Sequence, residues 1–147
     1  MILVSACLIG INCKYNGYNN KNEKVIQYLK DKQFIIACPE QLGGMSTPRD
    51  PSEIIELDTD DIIKGQTIVI SNKSLDVTNK FKEGAKETLK IANIYNCKEA
   101  ILKDGSPSCG SSYIYDGTFS SKKIDGVGVT TVLLINNGIK VISEKEL

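Results

Sequence analysis

Four short apolar runs limit the fold more than any other feature of the chain. They are "ILVSAC" (2–7), "QFIIACPE" (33–40), "EAILKD" (99–104) and "IKVIS" (139–143). Each has the length of a buried strand, the second stopped by Pro39, and is too short for a buried helix. Helical patterns lie between them. "NEKVIQYLKD" (22–31) puts Val25, Ile26 and Leu29 on one stripe. "DVTNKFKEGAKETLKIANIYNC" (76–97) repeats Val77, Phe81, Ala85, Leu89, Ala92 and Tyr95 at three- and four-residue steps, with Asp76 suited to the N-cap. "GVGVTTVLLINNG" (126–138) reads as a third helix, stopped by Gly138. Parallel strands need long, usually helical, crossovers, whereas a two-residue hairpin serves only antiparallel neighbours. The pattern therefore predicts an α/β chain: a three-layer, largely parallel, Rossmann-like sheet with helices on both faces and right-handed crossovers. Two further pieces, "EIIELD" (53–58) and "TIVIS" (67–71), predict a small β excursion near 53–71.

The 147 residues contain no repeat, linker or low-complexity segment, so one domain over 1–147 is expected. The formal net charge is zero, which gives no basic footprint for nucleic acid. No apolar stretch reaches the ~18–20 residues of a membrane span. "VSAC" (4–7) has the form of a lipoprotein cleavage box. No positive segment precedes it, and the apolar residues before it are too few for an export signal. A first strand and a cytoplasmic protein are expected.

Histidine is absent. That removes Ser-His-Asp and Cys-His catalysis and every zinc site that needs imidazole. Acid–base work at neutral pH falls to carboxylates, lysines, thiols or bound water. The five cysteines are Cys7, Cys13, Cys38, Cys97 and Cys109. An odd count without an export signal argues for free thiols, a metal site or catalysis rather than a disulfide framework.

Sites in open α/β sheets form beyond the carboxyl ends of the strands. Cys7 ends the first apolar run, Cys38 the second, and Cys109 lies in the loop leaving the third. Cys13 lies in the loop after the first, so four thiols share one sheet edge. Cys97 precedes the third run and belongs to the opposite edge, roughly 17 Å away across a five-residue strand. A free cysteine is often only a small buried hydrophobe, and Cys97 is read that way. The other four lie beside Pro, Gly or Ser, and their convergence favours a working centre. There is no C-x-x-C, which weighs against a thioredoxin-like redox site. Thiolates without histidine suit zinc or an iron–sulfur cluster, and spacing does not choose between them.

Other side chains share that edge. Glu40 follows Cys38 by two residues, and its plain alternative is an ordinary loop carboxylate or a helix N-terminal charge. Arg49 is the one arginine among eighteen Lys and Arg. Ser106 and Ser108 flank Pro107 before Cys109, where turn chemistry alone would also favour serine. "YIYDGTF" (113–119) reads as a tight turn at Asp116–Gly117.

Taken together, "ILVSACLIGINCKYNG", "CPEQLGGMSTPRDPSEI", "DVTNKFKEGA", "AILKDGSPSCGSSYIYDGTF" and "GVGVTTVLL" resemble the thiouracil desulfidase family of bacteria and archaea, in its short form. The resemblance covers nearly the whole chain. It implies an oxygen-sensitive [4Fe-4S] cluster held by three cysteines, matching Cys7, Cys38 and Cys109. It implies non-redox removal of sulfur from a small thiolated uracil-type base, with no membrane or nucleic-acid partner. Glu40 matches an acid–base glutamate, and Ser106 or Ser108 a catalytic serine. Cys13 also matches a family cysteine, as a ligand or as a residue lining the site. Lys14 and Asn16 stand where Arg and Asp are expected, which bears on substrate preference. A zinc- or cluster-bearing binding module without turnover is the alternative.

Overall fold

The computed structural model describes residues 1–55 and 67–147. In chain order the elements are β1 (Ile2–Ser5), α1 (Glu23–Leu29), β2 (Phe34–Ala37), α2 (Pro39–Leu42), β3 (Ser52–Ile54) and β4 (Val69–Ser71). Then come α3 (Thr78–Ile94), β5 (Glu99–Leu102), β6 (Tyr113–Tyr115), β7 (Lys123–Asp125), α4 (Val129–Asn136) and β8 (Lys140–Ser143). The four apolar runs form one parallel sheet in the order β2-β1-β5-β8.

Side chains on a strand alternate between faces, and β1 separates two cores in that way. Ile2 and Val4 pack with Val25 and Leu29 of α1 on one face. Leu3 packs with Ala92 of α3 and Leu134 of α4 on the other. Asn22 caps α1, its side chain accepting the N–H groups of Lys24 and Val25. A third cluster of Ile54, Val69, Phe81 and Ile114 ties two small hairpins to α3. Burying a side chain such as Phe81 contributes about 1.5–3 kcal/mol.

Five details differ from the sequence expectation. Cys7 does not end β1; it sits in a 3-10 turn, Ala6–Ile9, closed by Gly10 at φ 101°. β2 is an edge strand, with Phe34 and Ile36 exposed, because β1 is its one neighbour in the sheet. Pro39 does more than stop β2: it opens α2, where its fixed φ and missing N–H suit the first helical position. Asp76 does accept the Thr78 N–H at 2.9 Å, but α3 starts at Thr78 rather than directly after Asp76. Finally, the tight turn expected at Asp116–Gly117 is the start of a longer connection, 116–122, in an antiparallel hairpin, β6–β7, whose three-residue strands are too short for a periodic signal. The β excursion is the hairpin β3–β4, and the parts expected at 56–66 lie outside the described residues.

The backbones of α2 and α3 touch. A Cβ on Gly84 would collide with the Pro39 carbonyl oxygen, and one on Gly43 with the Lys80 carbonyl oxygen. This contact seats α2 beside the sheet edge. Among the described residues no helix is long and apolar enough to cross a membrane.

Candidate functional site

The chain passes from β1 to β2 on one side and later crosses back through α3 to β5 on the other, so a crevice opens between the carboxyl ends of β1 and β5. That is where the reversal of strand order puts ligand sites in doubly wound sheets. A cavity of about 450 Å³ occupies it. Its walls include Cys7, Cys13, Cys38, Cys109, Glu40 and Ser106. Cys97 is buried in the core beneath α3, away from this cavity.

The Cys38 thiol donates to the Cys13 backbone carbonyl at 3.8 Å, and the Cys13 side chain interacts with both Cys7 and Cys38. Its influence leads in lowering the Cys7 thiol below the ordinary value, and in bringing Cys38 down to about 7. Cys13 is pushed far up, by Cys38 first and then by Cys7. Burial raises Cys109, which also feels the charges of Cys7, Glu40 and Cys38. Burial likewise raises Cys97.

Glu40 is in the first turn of α2. Arg49 Nε donates to its Oε2 at 2.6 Å, with the Arg49 side chain 7% and the Glu40 side chain 16% exposed. The other arms of the guanidinium donate to Cys13 O (2.9 Å), Ser46 O (3.2 Å) and Thr47 Oγ1 (3.1 Å). One planar fork thus fastens the Cys13 loop to the glutamate, a job that a lysine's point charge does poorly. Ser106 Oγ donates to Glu40 Oε1 at 3.4 Å and accepts the N–H groups of Ser108 and Cys109. Ser108 turns away: it is buried, hydrogen-bonded to Thr130 Oγ1 at 2.8 Å, and absent from the cavity wall.

Asp104 is a residue that the sequence reading passed over. Its side chain is fully buried. Its Oδ1 accepts N–H groups from Gly105, Ser111, Ser112 and Tyr113, and Oδ2 takes the Ser112 hydroxyl. Burial alone would raise its pKa, but these bonds outweigh burial and hold it at about 2. The carboxylate folds the loop of Ser106 and Cys109 back on itself. The available signal was an acid placed between an apolar run and a loop of small residues. The aromatic side of the cavity, Tyr15, Tyr113, Tyr115 and Phe119, was also missed, because it joins the loop of Tyr15 to β6 and the loop after it, remote in sequence.

Among the described residues no three Cys, Asp or Glu side chains are grouped as ligands of a single metal ion. Four thiols around one cavity, with no imidazole in the chain, are nonetheless a donor set that fits an iron–sulfur cluster, which is itself several atoms wide.

Comparison with known proteins adds three findings. A family profile described as 2-thiouracil desulfurase matches residues 2–146. The uncharacterized protein YbbK of Bacillus subtilis (strain 168) is 50% identical over 147 residues, covering all of this chain and 97% of that one. The solved structure of TudS, a [4Fe-4S]-dependent thiouracil desulfidase, superimposes with a TM-score of 0.86 at 36% identity, covering 99% of this chain and 91% of that chain.

Proposed function

The chain belongs to the 2-thiouracil desulfurase family, and from that premise we propose that it is an enzyme converting a thiolated uracil-type base to the oxo base and hydrosulfide. We assign it a [4Fe-4S] cluster, as in TudS, held by Cys7, Cys38 and Cys109. When bound, the cluster supplies Lewis-acid polarisation of the thiocarbonyl at an iron without a protein ligand.

The protein's own groups carry the proton chemistry. Glu40 takes a proton from the water that adds to the thiocarbonyl carbon, and returns it to the sulfur as the carbon–sulfur bond breaks. The second water proton, left on the new oxygen, passes to solvent as the carbonyl forms, so the products are the oxo base, hydrosulfide and a proton. Arg49 holds the carboxylate in place, and the Ser106 hydroxyl orients it or donates to charge developing on the substrate. Sulfur enters and leaves at the same oxidation level, so no reductant is consumed. Cys13 lines the same cavity as the three assigned ligands.

The observation that supports this reading best is the Glu40–Ser106 contact on the same cavity wall as the four thiols. Anaerobic reconstitution should yield close to four irons and four sulfides per chain, and release of uracil and hydrosulfide from 2-thiouracil. Glu40→Gln should keep the iron and sulfide and lose ~10²–10⁴ in kcat. A fully reconstituted protein inert toward thiolated pyrimidines would leave a binding module instead.

A further inference from the structure

The geometry points to Phe119 as the residue whose ring stacks on the planar heteroaromatic ring of the substrate, with Glu53 as the residue that positions it. This rests on the desulfidase reading for the identity of the substrate.

Phe119 lies in the loop joining β6 to β7 and takes φ 55°, a left-handed backbone that a bulky residue seldom adopts. Ser121, two residues on, takes φ 61°. Nothing in the core asks for this conformation, since Phe119 is 36% exposed and belongs to none of the buried clusters. What imposes it is Glu53, a residue only 9% exposed on β3. Its Oε2 accepts the N–H of Gly117 at 2.9 Å and the N–H of Phe119 at 3.0 Å. Gly117 lets the loop press on β3: a Cβ there would stand 2.8 Å from the Ile54 carbonyl oxygen. Strained backbone that its surroundings hold in place is characteristic of ligand clamps.

Four aromatic rings line the cavity, and three already have company. Lys123 and Lys145 lie over the Tyr113 ring at 4.7 and 4.1 Å. Tyr115 meets Tyr113 edge-on at 6.1 Å. Lys14 lies 5.5 Å from the centre of the Tyr15 ring. Among the described residues, Phe119 is the one cavity ring with neither a cation nor another ring against it. A thiolated pyrimidine is flat, and ring-on-ring stacking is the contact it makes best with an apolar wall.

The test is uracil affinity by calorimetry, with KM and kcat for 2-thiouracil, on reconstituted holoenzyme. Phe119→Ala and Phe119→Leu should each raise the uracil Kd and the KM ~10-fold, with kcat within about threefold and iron content unchanged. Phe119→Tyr, which keeps the ring, should stay within about twofold. Glu53→Ala should raise the Kd like Phe119→Ala, the double variant should add nothing further, and Glu53→Gln, whose carbonyl still accepts both N–H groups, should restore affinity. An active wild type with Phe119→Leu indistinguishable from it overturns the inference and leaves the desulfidase reading standing. Uracil binding that depends on the ring, in a protein that releases no sulfide, supports the inference and overturns that reading. A wild type that binds no pyrimidine overturns both.

Discussion

Asp104 concentrates more of the site's organisation than any other single residue. Four backbone N–H groups and one hydroxyl converge on a carboxylate that water does not reach. Its folded pKa of about 2 lies below the ordinary 3.8. The stability it contributes is therefore fully present above pH ~4 and is lost as pH falls through ~2, in all about 2 kcal/mol. Urea unfolding at a series of pH values should show Asp104→Asn lacking that part of the wild-type acid slope. The same loop decides between the two candidate serines. Ser106 faces Glu40 and Ser108 faces Thr130. Ser106→Ala should thus lower kcat, whereas Ser108→Ala should act chiefly on stability, measured by turnover beside thermal unfolding.

At the scale of elements, the contact between α2 and α3 matters most for the chemistry. α2 is only four residues long and brings Cys38 and Glu40 to the cavity. So short a helix has little stability of its own and depends on what it lies against. Gly43 and Gly84 let its backbone meet that of α3 without a side chain between. Gly84→Ala should gain helix propensity within α3 and still be a net loss, because the methyl has no room. Overpacking of this kind costs ~1–3 kcal/mol, or roughly 3–10 °C in thermal midpoint. Its iron content after reconstitution should fall too, since α2 is displaced with its thiol. Differential scanning calorimetry and an iron assay on one preparation check both.

For the whole molecule, the doubly wound sheet gathers four thiols, Glu40 and Ser106 at one edge and leaves the fifth thiol to packing. Cys97, buried under α3, is the internal control. Cys97→Ala should retain iron, sulfide and the broad absorption near ~400 nm expected of thiolate-held clusters, at a cost of about 1 kcal/mol in stability. Cys7→Ala, Cys38→Ala and Cys109→Ala should each lose most of the iron, as metal analysis after anaerobic reconstitution will reveal. The alternation of short apolar runs with helical stripes was enough to foretell a parallel sheet and the edge that Cys7, Cys13, Cys38 and Cys109 share, because strand and helix periods are local properties of the chain. Tertiary structure alone decided that the Cys13 carbonyl meets Cys38 and Arg49, that Arg49 braces Glu40, and that Glu53 holds Phe119 at the cavity. Those outcomes depend on the directions of side chains from loops far apart in sequence, and such loops carry no periodicity from which a direction could be read.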